Sequence, residues 1–306
     1  MERPSRFGLI SLLIAAEVVI VGFAVFSLRG SAFGSSGGLH RVDYVAAPIA
    51  PVAAGLSPNV TIDDIDSGVS VTASNDGLIH VTDRTEAHGF LWGSNDFPRP
   101  VVTRTLDGVR IVRAGGHSFG VALGESRQHI DIEVPPASRV TILRSSGARL
   151  SGLHNDVAVT SQDGRITLDD ITGNITAHSN DGRIVGSQLH ANALDLSSDD
   201  GRIELSSLDM NPGAPKAELH TKDGPLIVSG VFPANGSYSM STGDGHVELN
   251  LLPGSDTTVD ASTGDGHVIV DGRRDAGQSI RVGAGNATMR VRTNDGSVKI
   301  TTNGAQ

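Results

Sequence analysis

Two groupings in this sequence have the residue types and spacing that chemistry needs. Gly116-His-Ser-Phe-Gly120 fits the Gly-x-Ser-x-Gly nucleophile elbow, with Ser118 as the attacking hydroxyl. The second is a series of aspartates, each followed by glycine: Asp163-Gly164, Asp181-Gly182, Asp200-Gly201, Asp223-Gly224, Asp244-Gly245, Asp265-Gly266 and Asp295-Gly296. Carboxylates brought together offer calcium the oxygens it takes at about 2.3–2.6 Å. They also offer the carboxyl pairs, about 5–9.5 Å apart, that glycoside cleavage uses.

Each grouping has a plainer counterpart. An elbow serine acts at a sharp strand-to-helix turn, with an oxyanion hole, a histidine and an acid behind it. Val121-Ala-Leu-Gly and the segments beyond carry no helical periodicity, so a glycine-rich loop fits better. Calcium-binding β-roll turns repeat every nine residues or so, whereas Thr242-Gly-Asp-Gly and Thr263-Gly-Asp-Gly lie 21 apart. Sugar sites stack aromatics on the ring, yet only Phe232 and Tyr238 follow Phe119. The eleven histidines show no His-x-x-x-His spacing, and His246 and His267 are equivalent positions of a repeat. No catalytic, metal or cofactor site is therefore assigned. The aspartates read first as turn residues, with glycine supplying a positive φ and the carboxylate accepting backbone N–H groups.

The elements that place these turns follow from the spacing. The full unit is Ser/Thr-x-Asp-Gly-x-Ile/Val/Leu, as in Ser179-Asn-Asp-Gly-Arg-Ile184, and an early copy is Ser74-Asn-Asp-Gly-Leu-Ile79. The seven later glycines are separated by 18, 19, 23, 21, 21 and 30 residues, and the last step has room for a degenerate copy around 281–287. Val157-Ala-Val-Thr, Leu194-Asp-Leu-Ser and Val268-Ile-Val alternate with period two, the mark of half-buried strands. Two architectures fit: an antiparallel meander with Asp-Gly hairpins, or a solenoid with the turns in a column. A period near twenty favours the solenoid. Seven rungs at about 4.8 Å would then stand about 30 Å tall, with Arg165, Arg183 and Arg202 in a ladder followed by His246 and His267. The closing strand, Val298-Lys-Ile-Thr, has little after it, and an open edge there would allow self-association through terminal rungs.

Composition agrees with a thin layered fold. The 306 residues contain 38 glycines and only 4% aromatics, with no cysteine. Disulfides, thiolate metal sites and cysteine nucleophiles are excluded. A net charge of -10 argues against nucleic acid as a partner. At the N-terminus, 7–28 is apolar apart from Glu17 and long enough to span a bilayer, and Arg3 and Arg6 precede it. This predicts a signal-anchor helix with the rest of the chain outside the cytoplasm. The rival is a signal peptide cut after Gly30-Ser31-Ala32, which would release the chain.

A strand ending Ile132-Glu-Val-Pro-Pro, then Arg139-Val-Thr-Ile, then serial Ser/Thr-x-Asp-Gly rungs resembles the bacterial putative-adhesin domain of unknown function. That family is similar to the autotransporter adhesin head. The resemblance covers roughly 60–300 and implies an all-β, right-handed parallel β-helix, exported and often behind a membrane anchor. It carries no catalytic residues over. The expected organisation is an anchor at 1–30, a Gly/Ser/Pro linker at 31–58, and a solenoid at 59–306. Within the solenoid, 59–143 is less regular, with an insert around Glu86 to Pro100, and 144–306 holds the repeats. Phe90, Trp92 and Phe97 of the insert read as a cover for the solenoid end or a contact patch. The expected function is a non-enzymatic, membrane-tethered envelope protein with an adhesion-like or scaffolding role toward an envelope polymer or protein. The alternatives are a β-helical enzyme on envelope polysaccharide and a self-assembling scaffold.

Overall fold

The computed structural model describes residues 39–45, 49–64, 67–95, 99–113, 118–274 and 279–302. The apolar 7–28 segment, the small residues at 30–32 and Phe97 lie outside these. Every regular element among the described residues is a strand, and none is a helix long and apolar enough to cross a membrane.

The chain divides into two compact units. The smaller contains a three-stranded sheet of Leu39–Val45, Glu86–Asn95 and Ser118–Arg127, in that order. Leu39–Val45 runs antiparallel to Glu86–Asn95, with Leu39 opposite Trp92 and Arg41 opposite Phe90. The insert is thus a regular strand, and part of the 31–58 stretch is its partner. A second short strand, Val52–Ala53, also falls within that stretch.

The larger unit is a stack of parallel rungs. Each rung has one strand before its corner and one after it, so the stack carries two ladders. In the ladder before the corner, Gly108–Arg113 pairs with Asn59–Asp64, which pairs with Arg139–Arg144 and then Val157–Ser161. The ladder continues through 174–179, 193–198, Lys216–Thr221 and Ser237–Thr242. These pairings are parallel and in register, which excludes the hairpin meander. Two strands alternate per rung because the inward positions carry Val, Ile or Leu. One buried file runs Val109, Val60, Val140, Val157, Ile175, Leu194, Ala217, Tyr238, Met289, Val259. The inward positions of both ladders are filled almost wholly by aliphatic side chains, so the core uses few aromatics. Tyr238 fits because small Ala217 is its neighbour in the file. Its ring meets Phe232 edge-on at 5.0 Å, and its hydroxyl donates to the Pro233 carbonyl at 2.9 Å. Burial pushes that phenol well above its usual range.

The stacking order departs from the chain order at both ends. Ala287–Thr293 and Val298–Thr301, the last rung made, lie between rung 237–251 and rung 257–270. The thirty-residue gap between the last two corners therefore hides no further copy. It holds a return path: Arg273–Arg274 and Ser279–Val282 run antiparallel along the outer rung, and the chain then re-enters the stack. At the other end, rung 59–73 lies inside strands 108–113 and 129–134. Antiparallel edges cover that end too, with Val101–Arg104 on one ladder and Leu78–Asp83 on the other. Val298–Thr301 is paired on both sides, so it is no open edge. The premise for assembly through that strand fails.

Candidate functional site

The seven Asp-Gly corners form one column in the order 163, 181, 200, 223, 244, 295, 265. A Cβ added to Gly182 would lie 2.1 Å from the Gly164 carbonyl oxygen, and one on Gly201 would lie 2.1 Å from that of Gly182. The series continues through Gly224, Gly245 and Gly296 to Gly266, each against the glycine before it at 1.8–2.2 Å. None of the seven has a positive φ. Glycine is required here because backbone stacks on backbone, and the expected role of φ is corrected accordingly.

The role of the aspartate is corrected as well. All seven carboxylates are exposed, and the corner's hydrogen bonds belong to the buried Ser or Thr two residues earlier. Ser179 Oγ accepts from Gly182 N at 3.0 Å, and Ser198 Oγ does so from Gly201 N at 3.0 Å. Thr242, Thr263 and Thr293 repeat the contact. The same hydroxyls donate across rungs, as Thr293 does to Gly245 O at 2.7 Å. Each hydroxyl satisfies one donor and one acceptor in a place that excludes water. Ser297 stands between His246 and His267, so those two histidines are not neighbours.

The early copy behaves as the sequence suggested for all of them. Gly77 has φ of +69°. Asp76 Oδ1 accepts from Ser74 Oγ at 2.7 Å and from Leu78 N at 3.0 Å, and Oδ2 meets His80 Nε2 at 2.6 Å. The Ser74 hydroxyl, then the Leu78 amide and His80, hold this carboxyl down at about 2. A lowered acid pKa means that the contacts favour the charged form. Their contribution is present above the ordinary value of 3.8 and is lost as pH falls toward 2. Carboxyl NMR is expected to show Asp76 titrating near 2, with Ser74→Ala moving the midpoint upward. A midpoint unchanged by that substitution would contradict the hydrogen bond.

A cluster that no sequence motif marks lies at three strand ends. Arg113 pairs with Asp64 (Nε–Oδ2 3.1 Å) and with Asp83 (Nη2–Oδ1 2.7 Å), and the three side chains are only 1–2% exposed. Thr85 Oγ1 accepts from Arg113 Nη1 at 2.5 Å and donates to Asp83 Oδ1 at 2.6 Å. Ser67 donates to Asp64. Beside it, Arg144 forks onto Asp63 at 2.8 and 3.0 Å and holds that carboxyl below its usual range. The cluster ties together the ends of Asn59–Asp64, Leu78–Asp83 and Gly108–Arg113.

Ser70, His129 and Asp131 have the composition of a hydrolytic triad without its wiring. Ser70 Oγ (2.9 Å) and Asp131 Oδ1 (3.1 Å) both meet the same nitrogen, His129 Nε2. A relay needs one nitrogen for each partner. Ser118 opens a strand, so the helix that an elbow requires is missing there.

The outward face of the ladder before the corner holds a shallow trough. Its two contiguous parts, about 350 and 230 Å³, share Asn174 and Thr176 and cross five rungs. Ala158 and Ala193 give it depth. Arg139, ion-paired with Asp156 at 3.0 Å, stands at one end, and Asp195, Lys216 and Glu218 stand at the other. Among the described residues no group of three or more His, Asp or Glu is arranged to hold a metal ion.

Stacked in-register rungs with a column of Ser/Thr-x-Asp-Gly corners are the geometry against which family membership can be judged. The pattern of the family described as Toastrack DUF4097 matches residues 59–301. The chain belongs to the Toastrack family. The match begins at the first strand of the inner rung and ends at the strand that re-enters the stack, so the whole rung array is the Toastrack domain. No curated protein matches the chain. Among solved structures it is similar to a putative adhesin from Parabacteroides merdae, with 10% identity and a TM-score of 0.46 over 86% of this chain and 95% of that one. It is also similar to a putative adhesin from Bacteroides fragilis, with 14% identity and a TM-score of 0.38 over 88% and 100%. A third is a putative cell adhesion protein from Clostridium sporogenes, with 11% identity and a TM-score of 0.29 over 86% and 99%.

Proposed function

We propose that this Toastrack protein is a non-enzymatic binding protein of the bacterial cell envelope, tethered by its N-terminal segment. Its rung face meets an extended polar polymer or protein, in adhesion or as a scaffold. The right-handed sense of the coil belongs to this reading too. The trough carries it: open, mixed in charge and running across the rungs, it suits a long ligand held by many weak contacts. A cleaving enzyme would instead need a carboxylic acid raised in pKa. Among the described residues, Asp63, Asp76, Asp107 and Asp256 are each held below the usual carboxylate range.

Full-length protein in lipid nanodiscs, incubated with fractionated envelope polymers, tests the proposal. Arg139→Glu with Lys216→Glu is expected to weaken capture about tenfold, or about 1.4 kcal/mol, without moving Tm. Failure of the parent protein to bind any fraction would remove the adhesion reading.

A further inference from the structure

Three of the four large apolar side chains that stand exposed among the described residues share one end of the stack. Leu56, Val101 and Leu106 are 81, 62 and 109% exposed. Val101 lies on the edge strand Val101–Arg104, Leu106 at the tip of the turn that follows it, and Leu56 in the loop entering the first inner rung. Leu56, Pro58, Arg104, Leu106 and Ala53 border one depression of about 440 Å³.

The turn around Leu106 is built to hold that side chain out. Asp107 turns its carboxylate onto its own scaffold, accepting from Asn59 Nδ2 at 2.6 Å and Thr105 Oγ1 at 3.1 Å. Thr105 N closes the turn on Gly108 O at 3.0 Å, and Asn59 N reaches Asp107 O at 3.0 Å. The acid is thus occupied locally while the leucine is left in water, the reverse of an ordinary surface turn. Exposed Arg99 and Arg104 flank the patch on a chain whose net charge is -10. Leucine tips beside arginines match the interface of an anionic bilayer, where the apolar ends enter the acyl boundary and the guanidiniums meet headgroups. Position agrees: this end is where the chain enters the stack, with Val52–Ala53 laid along the edge strand Leu78–Asp83.

We propose that this end of the stack seats on the surface of an anionic lipid bilayer through Leu56, Leu106 and Val101, with Arg99 and Arg104 on the headgroups. The docking rests on the tether of the preceding section.

The chain has no cysteine, so Leu56→Cys, Leu106→Cys and, at the opposite cap, Arg273→Cys each give one labelling site. Full-length protein carrying an environment-sensitive fluorophore is reconstituted into phosphatidylcholine vesicles, with and without phosphatidylserine, containing doxyl-labelled lipid. The expected result is a blue shift and at least about threefold stronger quenching at 56 and 106 than at 273, weakened when phosphatidylserine is left out. Protein that floats with the vesicles but quenches equally at all three sites keeps the tether and overturns the docking. Protein that stays behind overturns the tether and the docking with it. A blue shift at 56 and 106 that grows with protein concentration in lipid-free detergent, without lipid quenching, would give the patch to a second copy and overturn the proposal.

Discussion

Replacing Arg113 with methionine is expected to destabilise the solenoid by about 3–5 kcal/mol, the usual cost of stranding buried charge. Asp64 and Asp83 would lose the guanidinium that compensates them, at 1–2% exposure. A second variant makes the argument independent of any failure to fold. Arg113→Met with Asp64→Leu and Asp83→Leu removes all three charges and is expected to recover most of the loss, because an apolar set of similar volume often replaces a buried ion cluster without penalty. Urea unfolding followed by strand-sensitive circular dichroism reads both. A single variant as stable as the parent at pH 7 would show that the cluster contributes nothing.

The second large effect is at the corners. Gly201→Ala puts a methyl where the Gly182 carbonyl oxygen already stands 2.1 Å away. The two backbones must separate, breaking the register that every rung shares. A cost of about 3 kcal/mol or more is expected, at the upper end of overpacking effects. Gly77→Ala is the control. Nothing lies within 4 Å of its added carbon, and only the positive φ of +69° opposes it, for about 1–2 kcal/mol. Asp200→Ala is expected to stay within about 0.5 kcal/mol, since that carboxylate is exposed. Ser198→Ala, which orphans Gly201 N and the acceptor it bridges, should cost about 1–3 kcal/mol. The ordering glycine, serine, aspartate is the test. An aspartate that costs more than its serine would restore the reading in which the acid caps the turn.

The rungs were legible because a stack demands the same residue at the same place many times. Val157, Ile175 and Leu194 alternate visibly, and the recurring Asp-Gly announces the corners. The reason for the glycine was not legible. A position that needs positive φ and one that touches a neighbouring backbone both demand glycine, and Gly77 and Gly182 look identical in the sequence. A further corner was hidden altogether: Gly152, Asp170, Gln188 and Ser207 all take positive φ at equivalent rung positions yet share no residue type. The buried cluster did leave a signal that motif reading passes over. Val60-x-Ile-x-Asp64, Ile79-x-Val-x-Asp83 and Val109-x-Ile-x-Arg113 each place a charge at the next inward position of an aliphatic strand. Two acids and a base at matching inward positions are a reason to expect them together. The trough needed the structure, because it depends on Ala158 and Ala193 falling on the two rungs that flank Asn174 and Thr176.

The re-entrant last rung sets a rule for biosynthesis. A solenoid stacked in chain order can grow as it emerges from the ribosome or a translocon, each new rung settling on the one before. Here residues 257–270 leave first, but their permanent neighbour, 287–301, is made last. Rung 237–251 cannot acquire that neighbour until residue 301 is clear. Docking in order of appearance would set Thr242-Gly-Asp-Gly-His-Val247 directly against its near-twin Thr263-Gly-Asp-Gly-His-Val268, a premature closure that excludes the final strands. Completion of this end thus waits for residue 301, and a chain stalled short of Val298 is expected to close in that premature arrangement.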